Sequence, residues 1–125
     1  MTVIKTFKEL LVWQKSHQLT LIIYKITNDY PKYEIFALTS QTRRASSSIP
    51  ANIVEGFRRQ SLKDSINFYN TADASLEELK YHLLLAKDLN YISIERYNYV
   101  LEKAEEVGKL LTGWLQSQRK FLNTK

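Results

Sequence analysis

The sequence predicts an all-α protein, an antiparallel up-down-up-down four-helix bundle formed by a single domain over residues 1–125. Three observations predict it. Apolar residues recur at spacings of three and four in four separate segments, the period of a helix with one buried face. Glycine is scarce, with only Gly56, Gly108 and Gly113, and no apolar run alternates with period two for long, which argues against sheet. The connections are short, at roughly three to six residues, and short links make sequential helices antiparallel neighbours.

The first helix is expected from Thr6, where "TFKE" reads as a capping box with Glu9 at the third helical position. Val12, Ser16, Leu19, Ile23, Ile26 and Tyr30 form its buried stripe, and Pro31 ends it. The second is expected from near Glu34 to Arg58 or Arg59, kinked at Pro50. The third follows a cap at Ser61, with Phe68, Ala72, Leu76, Leu79, Leu83 and Ala86 inward and Asn90 as its stop. The fourth follows Ser93, with Tyr97, Leu101, Ala104, Val107, Leu111 and Trp114 inward, and frays from about Asn123.

At 125 residues and 44% hydrophobic, the chain can bury a real core. It has no cysteine, which excludes disulfides and thiolate metal sites and makes the cytoplasm the expected compartment. No apolar run is long enough for a membrane span, and the start, "MTVIKTFKELLVWQKS", has no signal-peptide cleavage pattern. Charge is unevenly placed. Residues 1–60 hold nine Lys/Arg against four Asp/Glu, whereas residues 61–125 hold nine of each, so the net +5 lies in the first half. That asymmetry hints at an anionic partner.

The stretch "RRASSSIPANIVEG", Arg43 to Gly56, is unusual for a helix. Leu38, Thr42, Ala45, Ile49 and Ile53 form its core stripe. Beside them Gln41, Arg44, Ser48, Asn52 and Glu55 make a wholly polar ladder, able to satisfy each other or a partner. Pro50 removes its own N–H and crowds the carbonyl of Ser46, at a cost on the order of 3 kcal/mol, and nearby serine hydroxyls are expected to bond the freed carbonyl. Gly56 adds roughly 1 kcal/mol relative to alanine, which close helix packing would explain.

Little in the sequence points to catalysis. His17 and His82 sit on different helices without metal-ligand spacing, and both read as boundary residues. Neither follows an arginine as in helical ribonucleases. Ser46, Ser47 and Ser48 lack a base partner, and there is no phosphate-binding glycine loop. The enzyme alternative is a metal-dependent nucleotide pyrophosphatase, with Asp73, Glu77 and Glu78 on the third helix and Glu102, Glu105 and Glu106 on the fourth. Lys103 and Lys109 make the latter cluster read as a solvated, salt-bridged face. No cofactor and no metal site is expected. Lys5, Lys8, Lys15 and Lys25 beside apolar residues could suggest a membrane surface, but core and oligomer contacts explain that helix more simply, so no membrane partner is expected.

Three pieces, "LLVWQKSHQL", "ALTSQTRRASSSIPANIVEGFRR" and "FYNTADASLEELKYHLLLAKDLNYIS", resemble the four-helix-bundle proteins encoded in intervening sequences of bacterial 23S ribosomal RNA genes. The central piece is the most specific. The chain is similar, more distantly, to the accessory protein of diversity-generating retroelements, a basic bundle that engages nucleic acid and a reverse transcriptase. The resemblance implies a homo-oligomer, a ring of five, and reaches Gln41, Arg44, Ser48, Pro50, Asn52, Glu55, Gly56, Ser75 and Glu78. It departs at Ala74, where relatives favour glycine. In that light the ladder could be paired across subunits.

The sequence therefore predicts a non-catalytic, self-associating bundle that binds RNA or DNA, or a nucleic-acid enzyme, through its basic first half. Arg43, Arg44, Arg58 and Arg59, supported by Lys32 and Lys15, are the expected phosphate contacts, with Arg43, Arg58 and Arg59 preferred over Arg44 because Arg44 also belongs to the ladder. The alternative is a purely structural or protein-binding oligomeric module.

Overall fold

Four helices carry the chain: α1 (Leu11–Thr27), α2 (Leu38–Arg58), α3 (Leu62–Asp88) and α4 (Ile94–Asn123). The computed structural model describes residues 3–124; α4 ends at Asn123, the point from which the tail is expected to fray, and residue 125 lies outside the described residues. Each helix packs against its neighbours in the chain, and α4 returns to α1, closing a four-helix bundle in which α2 and α3 make the most extensive pair. Ile23, Ile49, Ile53, Leu79, Leu83, Val100 and Leu111 are fully buried at its centre. A smaller cluster of Tyr30, Leu38, Ala86 and Ile92 seals the end where the α1–α2 and α3–α4 connections meet.

The caps behave as their chemistry dictates. Ser61 Oγ accepts from Asp64 N at 3.1 Å, and Ser93 Oγ accepts from Arg96 N at 3.1 Å. Asn90 has φ 63°, and the chain turns so that Tyr91 N donates to Ala86 O at 2.8 Å, ending α3 in a left-handed residue. The capping box at Thr6 forms, but it caps only a single 3-10 turn, Phe7–Glu9. Leu10 is extended and buries its side chain, so α1 starts at Leu11 rather than after Thr6.

Other boundaries also differ from expectation. α1 stops at Thr27, and Tyr30 is buried from the connection beyond it. α2 starts at Leu38, not near Glu34, which belongs to a separate 3-10 turn, Lys32–Glu34. Glu34 holds the start of α2 from outside, its Oε1 accepting from Leu38 N at 3.3 Å. In α3 the buried aromatic is Tyr69, and Phe68 is half-buried. In α4 the innermost positions are Val100, Ala104, Val107, Leu111 and Leu115, leaving Tyr97, Leu101 and Trp114 at the edge of the core. From Phe68 to Tyr69, Leu101 to Val100 and Trp114 to Leu115 the shift is one position, which a helical period of 3.6 permits.

α2 runs unbroken through Pro50, which is buried. The carbonyl that proline leaves without a donor, Ser46 O, accepts from Thr20 Oγ1 of α1 at 3.0 Å, the hydroxyl proton being shared with Ser16 O at 3.1 Å. The serines expected to do this turn elsewhere: Ser46 Oγ donates to Arg43 O and Ser47 Oγ to Arg44 O. Gly56 is required by packing. A Cβ there would lie 2.9 Å from Tyr69 Cδ1 and 3.0 Å from the carbonyl oxygen of Ser65.

Candidate nucleic-acid and assembly surfaces

The six cations expected to contact phosphate divide into two groups. Three are committed within the chain. Arg43 reaches across to the end of α1, donating from Nε to Thr27 Oγ1 at 2.8 Å and from NH2 to Asn28 Oδ1 at 3.0 Å, with its guanidinium 4.9 Å from the Tyr24 ring centroid. A cation there also complements the negative end of α1. Arg59 pairs with Glu55 at 3.0 Å and lies 4.4 Å over the Phe68 ring. Lys15 pairs with Glu106 at 3.3 Å. Arg44, Arg58 and Lys32 are exposed, and none makes a side-chain hydrogen bond or ion pair among the described residues. Of the four arginines, Arg43 and Arg59 thus have partners within the chain, whereas Arg44 and Arg58 have none among the described residues.

The polar ladder is likewise divided. Its centre is an intrachain joint between α2 and α3. Ser48 Oγ and Ser75 Oγ are 2.9 Å apart, and Asn52 Nδ2 donates to Ser48 O at 2.7 Å and to Ser48 Oγ at 2.9 Å. All three residues are half-buried. Gln41, Arg44, Glu55 and Glu78 are exposed. Glu55 serves Arg59, and Glu78 Oε2 lies 3.6 Å from His82 Nε2.

His82 is buried, not a boundary residue, and its Nδ1 has no hydrogen-bond partner among the described residues. Burial pushes its pKa below the ordinary imidazole value, opposed by the Glu78 carboxylate. His17 is exposed and stacks on Trp13, with ring centroids 5.0 Å apart. At the bundle end, Tyr91 OH donates to Glu34 Oε2 at 2.6 Å and lies 3.3 Å from Tyr33 OH, and burial raises the Tyr30 hydroxyl to about 12.

The carboxylates of the pyrophosphatase alternative do not converge. Lys80 Nζ stands between Glu77 at 3.2 Å and Glu105 at 3.4 Å. Burial disfavours its charge, but the two carboxylates outweigh that and raise its pKa. Glu78 turns to His82 and Glu106 to Lys15. Among the described residues no three His, Asp or Glu side chains are grouped to hold a metal ion. No helix of the described residues is long and apolar enough to cross a membrane.

One surface feature was missed by pattern reading. Tyr33, Ile35 and Phe36, in the α1–α2 connection, are 78%, 51% and 95% exposed. The signal was present as "YEIF", three large apolar residues in four that the helical stripes do not use.

Fold and surface together define a small basic four-helix bundle whose polar signature faces partly inward, between α2 and α3. The chain belongs to the 23S rRNA-intervening sequence protein family, whose model matches residues 8–113. It is similar to a solved protein with unknown function from the S23 ribosomal protein family of Bacteroides thetaiotaomicron, with 30% identity and a TM-score of 0.79, covering 85% of this chain and 96% of that one. No curated protein matches it.

Proposed function

We propose that the chain is a non-catalytic subunit that self-associates and binds nucleic acid electrostatically through its basic first half. The observation that carries the reading is the pair Arg44 and Arg58. Both are exposed on α2 without a carboxylate partner among the described residues. They stand nearly four turns apart on one side of the helix, roughly 21 Å at about 1.5 Å per residue. Contacts of this kind neutralise phosphates without reading bases. Self-association would repeat the pair around an assembly and multiply weak contacts into useful affinity. The ring of five implied by the family resemblance is one such assembly, and the cytoplasm is the compartment we propose for it.

Filter binding of a DNA duplex over a salt series tests this. Two phosphates per engaged chain give a slope of log K against log salt of about −2. The variant R44A/R58A loses most of that slope, and absence of retention of either DNA or RNA at low salt contradicts the reading. The second reading, a purely protein-binding module, is favoured by the exposure of Tyr33, Ile35 and Phe36. A pull-down with and without nuclease separates the two, since only nucleic-acid-borne partners are lost on digestion.

A further inference from the structure

We propose that the end of the bundle where the α2–α3 turn meets the last turns of α4 is a cleft for an unpaired base, so that the chain takes single-stranded nucleic acid there with Phe121 as the stacking ring. This site presupposes the nucleic-acid reading above and names the form of nucleic acid that this end of the bundle fits.

α4 continues beyond Leu115, its last buried residue, to Asn123. That extension adds no buried residue to the core. Phe121 lies on it with 59% of its surface exposed. Two clefts border the ring. One, of about 320 Å³, is walled by Arg59, Gln60, Leu62, Ser65 and Gln118. The other, of about 400 Å³, is walled by Ser117, Lys120 and Thr124. Both have the size of a small-ligand site. An aromatic ring beside open space offers its face to a base, and such stacking is indifferent to which base it is.

The polar groups around the ring suit a nucleotide. Gln60 comes from the α2–α3 turn and Gln118 from α4, and neither amide makes a side-chain hydrogen bond among the described residues. Each can donate to and accept from the edge of a base. Arg59 is held in the cleft wall by Glu55 and the Phe68 ring, so the wall is in place before a strand arrives. Arg58, Lys63 and Lys120 are exposed and make no ion pair among the described residues. Arg119 donates to the neutral Asn70 Oδ1 at 2.8 Å, which leaves its charge uncompensated. Residues 55–65 and 117–124 together hold five Lys/Arg against two Asp/Glu. The fold thus joins cations of the neutral second half of the sequence to those at the end of α2.

An unpaired strand is the occupant these features fit. A duplex keeps the faces of its bases inside its own stack and shows only their edges in the grooves, so Phe121 has nothing to stack on. A single strand presents both faces and phosphates together.

Fluorescence anisotropy at low salt tests this with three labelled probes of equal length, about 12 nucleotides. They are oligo(dA), an abasic strand with the same phosphates and no bases, and a DNA duplex. The wild-type chain is expected to bind oligo(dA) about fivefold or more tightly than the abasic strand. Phe121→Ala is expected to bring oligo(dA) down to the abasic affinity while leaving the abasic strand and the duplex unchanged, and Phe121→Tyr is expected to keep the preference. Equal wild-type affinities for oligo(dA) and the abasic strand overturn the stacking cleft but leave duplex binding through Arg44 and Arg58 standing. So does a Phe121→Ala variant that weakens all three probes alike. A Phe121→Ala variant that changes the mass in light scattering but keeps its oligo(dA) affinity also overturns the cleft, and makes the ring a contact between chains. Absence of binding to every probe, the duplex included, overturns the nucleic-acid reading itself. Circular dichroism verifies the fold, and Phe121→Leu, apolar but without a ring, repeats the measurement if Phe121→Ala loses helical signal.

Discussion

Gly56 and Gly113 both sit within helices, yet their surroundings are opposite. Gly56 lies where α2 presses on α3, and Tyr69 with the Ser65 carbonyl occupies the space a side chain would need. Gly113 lies on α4 beside a groove, with nothing near the position of a Cβ. A glycine in a helix costs about 1 kcal/mol relative to alanine, so each calls for a compensating cause. At Gly56 the cause is inside the chain. At Gly113 no such contact lies within 4 Å. The same residue type thus stands in two different settings, close packing between α2 and α3 at one and open space on α4 at the other.

The sharpest way to break this comparison is Gly56→Ala. Although alanine is the better helix former, overpacking against Tyr69 and the Ser65 backbone should destabilise the fold by about 1–3 kcal/mol. Thermal or urea unfolding measures it, and a stabilised variant would remove the packing cause. Next comes Thr20→Val, which tests how the same tight region tolerates Pro50. Loss of the hydroxyl leaves Ser46 O without its donor, at a cost of about 1–3 kcal/mol. The cost should shrink when Pro50→Ala restores the helical N–H, and equal costs in the two backgrounds would show that Thr20 does not serve Pro50. The smallest effect is expected at Gly113→Ala, which should stabilise the fold by about 1 kcal/mol. Destabilisation there would reveal a hidden intrachain role.

Much of the architecture was legible because it rests on local chemistry. Thr6, Ser61, Ser93 and Asn90 act within a few residues of themselves, and the apolar stripes of α1 and α2 needed only their spacing. Where the period leaves a choice between adjacent large residues, as between Phe68 and Tyr69, only the neighbouring helix decides it. In this case Gly56 admits Tyr69, and Phe68 is left for Arg59 to cover.

The candidate surface was less legible, because it depends on where long side chains end. Arg43 and Arg44 are adjacent in sequence, but one straps α1 and the other faces solvent. The donor for Ser46 O comes from Thr20 on another helix, and no local pattern announces it. Likewise, the ladder seemed a single face, whereas Ser48, Asn52 and Ser75 close a seam while Gln41 and Glu78 stand outside it.

The central claim is that the chain works as an assembly rather than alone. Light scattering of the wild-type protein across a concentration series, after nuclease treatment, tests it most directly. The account predicts a mass that is a whole multiple of 14.7 kDa and falls toward it only on dilution. A mass of 14.7 kDa at every concentration would contradict it.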